Sequence, residues 1–175
     1  MYPDPWYFVT LLGEAEIWVW FMIGLMVIYT FLRYKTSYAK KPRMKTFKNF
    51  LFLAVISLLI AYVMVTGLKF GTAIPRPCIA CPQDAMIITG NCNLYCPHDD
   101  SFPSGHATII FTFLTSLLLV IRKKWVIPLY VIGILVGYSR IALNVHYPGD
   151  VIVGAALGMA ITLLVWRGLK TRIKA

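Results

Sequence analysis

The sequence is poor in charge. Of its 175 residues only 14% are Asp, Glu, Lys or Arg, whereas 59% are hydrophobic and the mean hydropathy is +0.72. A water-soluble domain of this size exposes far more charge, so the composition excludes an ordinary soluble protein and asks for lipid as the solvent. Acidic residues are the scarcest group, 7 against 17 Lys and Arg. No carboxylate cluster is left to cage a divalent cation, and Asp99-Asp100 alone is a poor cage. Alternation of apolar and polar residues with period two is missing as well, which leaves helices as the spanning elements, since only helices and closed barrels satisfy their backbone in lipid. Cysteine is absent outside one segment, where Cys78, Cys81, Cys92 and Cys96 lie together.

What is present is a series of long apolar runs. Five of them, Ile17–Leu32, Phe50–Leu68, Ala107–Ile121, Val126–Tyr138 and Val151–Trp166, approach the ~20 residues a helix needs to cross a hydrocarbon core. The fourth is short as an apolar run and is expected to continue through Ser139, Arg140 and Ile141. The length suits one domain covering residues 1–175. The expected fold class is all-α, an integral membrane bundle of five or six transmembrane helices, with the first spanning unit as the open point. Trp6–Leu12 reads as a short interfacial helix ahead of the first span. A cleaved signal peptide is the competing reading of this end. It is disfavoured by the lack of a basic leading region and by Asp4, Glu14 and Glu16 before the apolar run.

The net charge of +10 would suit nucleic acid, but its placement points to a membrane. Arg33, Lys35, Lys40, Lys41, Arg43, Lys45 and Lys48 fall between the first two runs. Arg122, Lys123 and Lys124 fall between the third and fourth, and Arg167, Lys170, Arg172 and Lys174 follow the fifth. The positive-inside rule assigns all of these to the cytoplasm. Lys69, Arg76 and Arg140 are the only basic residues on the other side, together with all seven acidic ones. The N-terminus and the cysteine segment are therefore expected outside, in the periplasm if the membrane is a bacterial inner membrane. On an oxidising face four cysteines favour disulfides over the zinc site that CxxC and CxxxC spacing also permits, with three pairings open. His98, in the same segment, receives no role.

Three external segments carry residues that apolar packing does not require. Lys69 and Arg76, seven positions apart, would face one side if helical, and each alone would serve as a snorkelling anchor. With Arg140 they make a set of cations suited to a phosphate. Ser104 reads as the N-cap of the third span, followed by Gly105 and His106, so that free backbone N–H groups could meet an anion. His146 and Asp150, four apart, allow the carboxylate to orient the ring if the fifth helix begins early enough, although Pro148-Gly149 could turn the chain instead. Each feature alone has a structural explanation. Together they supply a nucleophile, a general acid and neutralising cations without a metal.

These residues spell K-x6-R-P at Lys69–Pro77, P-S-G-H at Pro103–His106 and S-R-x5-H-x3-D at Ser139–Asp150. In that order they resemble the complete signature of the type 2 phosphatidic acid phosphatase family. The resemblance implies that His146 attacks phosphorus to form a phosphohistidine and that Asp150 orients it. It implies that His106 protonates the leaving oxygen and then helps activate water. Lys69, Arg76, Ser104, Gly105 and Arg140 would hold the phosphate. The family is usually drawn with six helices, one more than the runs found here. In size and character the chain is most similar to bacterial lipid A 1-phosphatases. Phosphatidylglycerophosphate phosphatase, undecaprenyl pyrophosphate phosphatase and a lipid-to-lipid phosphotransferase are alternatives, as is a non-catalytic lipid-binding or transport protein. The expected partners are the membrane and a phospholipid or lipid A-type substrate, with no nucleic acid, metal or other cofactor.

Overall fold

The structure is a computed structural model that describes residues 5–34, 42–80, 96–121 and 124–174. Every regular element among the described residues is helical. In chain order they are α1 (Pro5–Leu11), α2 (Ala15–Tyr34), α3 (Pro42–Thr72), α4 (Pro77–Ala80) and α5 (Gly105–Ile121); a 3-10 helix (Lys124–Leu129) then runs into α6 (Tyr130–Ala142), and α7 (Pro148–Lys174) follows. α1, α3, α4 and α7 each open on a proline, whose fixed φ suits the first helical position and whose missing N–H costs nothing there. Pro128 lies within the 3-10 helix and explains why α-helix resumes only at Tyr130.

All five apolar runs are helical, and the helices outrun them. α3 extends over 31 residues, ~46 Å at 1.5 Å per residue, against the ~30 Å of a hydrocarbon core. Its polar first turns are compatible with helix, so apolarity marks the part in lipid while local backbone signals mark the ends. α6 continues through Ser139, Arg140 and Ile141 as expected. Ala15–Tyr34, Met44–Ile79, Lys124–Ala142 and Pro148–Leu169 are long and apolar enough to span, with Gly105–Ile121 as a shorter apolar helix. The chain is an integral membrane helical bundle. Trp20, Val27, Leu59, Val63, Ile134 and Ile152 stay exposed on its outside, as lipid contact requires.

α5 runs through the middle, packed against α3, α6 and α7. Its buried side chains include Thr108, Thr112, Thr115 and Ser116 beside Ile110, Phe111 and Leu114. Several hydroxyls are satisfied by their own helix, as in Thr108 Oγ1 donating to Ser104 O at 2.9 Å and Ser116 Oγ to Thr112 O at 2.9 Å. Small residues let α7 come close. A Cβ at Gly158 would sit 2.4 Å from Thr108 O, and one at Gly154 2.5 Å from Ser104 O. The ends of α3 and α6 and the starts of α5 and α7 meet at one pole of the bundle. The short helix expected before the first span is present as α1 and docks there on α6, with Trp6 edge-on to Tyr138 at 4.9 Å.

Candidate active site

α3 ends at Thr72, where Ala73 takes a positive φ of 48° and the chain runs without regular structure to Arg76. Lys69 and Arg76 therefore do not share a helical face, as their spacing suggested. They meet across Asp99. Its carboxylate accepts from Lys69 Nζ at 2.6 Å and from Arg76 Nη2 at 2.7 Å, while its backbone oxygen accepts from Arg76 Nε at 2.8 Å. Burial works to raise the Asp99 pKa, but the hydrogen bond from Lys69 and the Arg76 guanidinium outweigh it and bring it down to about 2. A Cys78–Cys96 disulfide ties α4 to the segment carrying Asp99. That bond removes two thiolates from the zinc alternative, and Cys81 and Cys92 lie outside the described residues.

The next segment crosses beneath Arg76. Ser101 N donates to Ile74 O at 2.8 Å, the Phe102–Pro103 peptide is cis, and Ser104 N donates to Asp150 O at 3.0 Å. Ser104 stands at the start of α5, and its carbonyl accepts from Thr108 N at 3.0 Å. Its hydroxyl, however, is buried without a hydrogen-bond partner, so the side-chain cap expected there is not made. His106 follows on the first turn of α5.

His146 comes from the turn after α6. Asn144 adopts φ 54°, and Val145 N and His146 N both donate to Arg140 O, at 3.1 and 3.3 Å, which folds the ring inward. α7 starts only at Pro148, so His146 precedes the helix that carries Asp150. The turn still places its Nδ1 3.4 Å from Asp150 Oδ2, a long contact that the backbone supports through Tyr147 N donating to the same oxygen at 3.0 Å. Ser101 Oγ also donates to Asp150 Oδ2. On the other edge of the ring, Arg76 Nη1 lies 3.1 Å from Nε2 and donates to Val145 O at 2.8 Å. A guanidinium only donates, so Nε2 presents its lone pair and Nδ1 carries the proton toward Asp150. Burial pushes the His146 pKa down to about 4. The Asp150 contact opposes this, and the charges of Arg76, Arg140 and Lys69 reinforce it.

Arg140 Nη1 donates to Thr10 Oγ1 at 2.5 Å, whereas its buried Nε has no partner. His106 Nε2 lies 2.6 Å from Glu14 Oε2, at the turn between α1 and α2. An open cavity of about 720 Å3 brings Lys69, Arg76, Gly105, His106, Arg140 and His146 together, with Ala61, Val65 and Phe70 on an apolar wall. Ser104 and Asp150 are buried off the cavity lining, Asp150 in contact with the lining residue His146. A concave site with several cations, orphaned donors and an apolar flank suits an anion attached to a lipid. Four residues in contact with this set, Thr10, Glu14, Asp99 and Ser101, carry no motif. The acidity of Glu14 and Asp99 on a face that also held the cations was the one signal available for them. Among the described residues no three His, Cys, Asp or Glu side chains converge as a metal site.

Residues 50–174 match the family model of the PAP2 superfamily, more than half of the chain. The chain belongs to the PAP2 superfamily. An undecaprenyl-diphosphatase of Sulfolobus acidocaldarius is 48% identical over 69 residues, 39% of this chain and 33% of that protein. A lipid A 1-phosphatase of Rhizobium johnstonii is 35% identical over 65 residues, 37% of this chain and 26% of that one. These matches span about a third and a quarter of the curated relatives. The crystal structure of Aquifex aeolicus LpxE superposes with a TM-score of 0.69 at 25% identity, covering 93% of this PAP2 chain and 83% of that one. Thr10 and Glu14 precede the part that the PAP2 model matches.

Proposed function

We propose that the protein removes a phosphate from a lipid headgroup through a phosphohistidine on His146, at the external face of a bacterial inner membrane. One observation carries this reading: the His146 ring is backed by Asp150 on Nδ1 and turns Nε2 toward Arg76 beside a cation-lined cavity. A phosphate entering the cavity is held by Lys69, Arg76, Arg140 and the start of α5 at Ser104 and Gly105. Arg76 Nη1 then donates to a phosphate oxygen instead of Nε2, and the lone pair is free. The Nε2–P bond forms as the P–O bond to the lipid breaks, and His106 gives a proton to the departing oxygen. Water attacks the phosphohistidine next. The P–N bond breaks back onto Nε2, the water's proton passes to His106, and inorganic phosphate leaves. Positive charge for both transition states comes from the three cations, so activity is expected to persist in excess EDTA.

Among lipid phosphates, lipid A 1-phosphate is the favoured substrate. The likeness to LpxE over nearly the whole chain and the Rhizobium relative support it. The Sulfolobus relative favours a prenyl diphosphate as the second reading, in which the leaving group is itself a phosphate.

The test is acid-quenched mass spectrometry during phosphate release from lipid A, phosphatidylglycerophosphate and undecaprenyl pyrophosphate. Phosphate is expected on His146, with turnover and phosphoenzyme both lost in His146→Ala. His106→Ala should lose roughly 10²–10⁴-fold, the usual worth of a general acid, and recover in part on p-nitrophenyl phosphate. Phosphate mapped to His106, or consumption of substrate without any phosphohistidine, would overturn the assignment.

A further inference from the structure

Glu14 belongs to no motif and lies N-terminal to the matched family region, yet it is the carboxylate that touches His106. The approach is built, not incidental. At the preceding residue, Gly13, a Cβ would fall 2.8 Å from His106 Cβ and Cδ2 and from Val136 Cγ1, so this turn presses backbone against the imidazole where no side chain fits. Gly13 N donates to Thr10 O at 2.8 Å, and Trp18 Nε1 donates to Leu12 O at 2.6 Å, which fixes the turn from both sides. Thr10, one helical turn back and buried, holds Arg140 through its hydroxyl. The segment 10–14 therefore grips two residues of the cavity at once.

The charges around His106 give the contact a purpose. Arg140 from α6 and Arg76 from the α3–α4 connection line the same cavity as His106, and Glu14 is the carboxylate in contact with it. Two guanidiniums repel an imidazolium, and a general acid has to carry its proton before it can donate it. Lys69, His146, Glu16, His98, Asp99 and Asp100 share the cavity wall, but the Asp99 carboxylate is already bound to Lys69 and Arg76. Glu14 is half-exposed. Its own pKa is lowered, first by the His106 contact, with burial opposing and the Arg140 charge helping, so it stays a carboxylate at neutral pH. Although Nε2 and Oε2 are 2.6 Å apart, Nε2 makes no aligned hydrogen bond.

On the reading of the reaction given above, we propose that Glu14 is a positioning residue for His106, holding it as the proton-bearing imidazolium beside two arginines until the leaving oxygen takes the proton. The Nε2 proton goes to that oxygen as the P–O bond breaks, and the attacking water returns one to Nε2. Glu14 remains ionised throughout.

The experiment compares wild type with Glu14→Gln, Glu14→Asp and Glu14→Ala in detergent, measuring kcat and KM against pH on the best lipid of the panel and on p-nitrophenyl phosphate. Removing the negative charge makes the imidazolium less favourable, so the basic limb of the kcat profile is expected to move to lower pH in Glu14→Gln. At neutral pH kcat should fall by roughly tenfold or more, short of the roughly 10²–10⁴-fold loss of a general acid removed outright, with KM nearly unchanged. Glu14→Asp should restore the limb in part, and p-nitrophenyl phosphate should show a smaller loss. An active wild type whose Glu14→Gln variant keeps its pH limb overturns the role of Glu14 alone. So does a uniform loss in all three variants with no limb shift and no rescue by aspartate. A wild type that releases no phosphate and forms no phosphohistidine overturns the reaction as well.

Discussion

The state of His146 is set by what surrounds its ring. Burial pushes its pKa down to about 4, the Asp150 carboxylate works against that, and Arg76, Arg140 and Lys69 add to it. An unfolded histidine titrates near 6.5, so the folded ring stays neutral, with a free lone pair, through the whole range from about 4 upward. NMR titration of the protein in detergent, with the His146 signal assigned by its loss in His146→Ala, should therefore give a midpoint near 4. The signs for its neighbours follow from the same charges. Arg76→Ala removes a repelling cation and should raise the midpoint, while Asp150→Asn removes the supporting carboxylate and should lower it further. A wild-type midpoint at or above 6.5 would contradict this account of the site. The six cavity residues from Lys69 to His146 were legible because their types and spacings match a family pattern. Asp99, Ser101, Thr10 and Glu14 were not, since each reaches the site through a contact that no periodicity encodes. Ser104 shows the converse: its position at a helix start suggested a side-chain cap, and its hydroxyl is held unpartnered instead.

Helices were legible as apolar runs, but their ends and contacts obey other rules. α3 and α7 extend past their runs because proline starts and a positive-φ stop, not hydrophobicity, delimit a helix. Which helices touch was not readable from apolar content, because in lipid an apolar face has no reason to prefer another helix. Close approach depends on small residues, and α7 offers Gly154 and Gly158 to α5 at positions where a Cβ would collide with backbone oxygens at 2.5 and 2.4 Å. Backbone cannot swing aside as a flexible side chain can, so Gly158→Ala has to part the two helices. Overpacking of this kind costs about 1–3 kcal/mol. Gly24 on α2 has nothing within 4 Å of a built Cβ, so Gly24→Ala should be neutral or slightly stabilising. Thermal unfolding in detergent followed by tryptophan fluorescence should show a lowered midpoint for Gly158→Ala but not for Gly24→Ala. Gly154→Ala should also reduce turnover, because the atom it meets belongs to Ser104, next to Gly105 and His106. Equal midpoints for Gly158→Ala and Gly24→Ala would show that α5 and α7 are not packed this closely.

The whole molecule is electrically polar along its helices. Arg33, Lys45, Lys48, Lys124 and Arg167 sit toward the pole away from the cavity, at the end of α2, the start of α3, the 3-10 helix and the end of α7. Glu14, Asp99, Asp100 and Asp150 sit at the cavity pole with Lys69, Arg76 and Arg140, which they partly neutralise. Basic residues at helix ends are retained on the cytoplasmic side during insertion, while acidic residues have little influence, so the orientation we propose from the charge pattern has the cavity outward. The Cys78–Cys96 disulfide at the cavity pole agrees with an oxidising compartment on that side. Both observations bear on one measurable property. Single cysteines introduced at Lys48 and at His98, both exposed positions, are placed in a background whose four native cysteines are replaced by serine and whose phosphate release is first checked. A membrane-impermeant thiol reagent applied to intact spheroplasts is expected to label His98→Cys at once and Lys48→Cys only after lysis. The reverse pattern would place the cavity in the cytoplasm and would require the lipid phosphate to be presented from the inner leaflet. Labelling of both positions in intact cells would mean that the chain inserts in two orientations, which the segregation of its charges argues against.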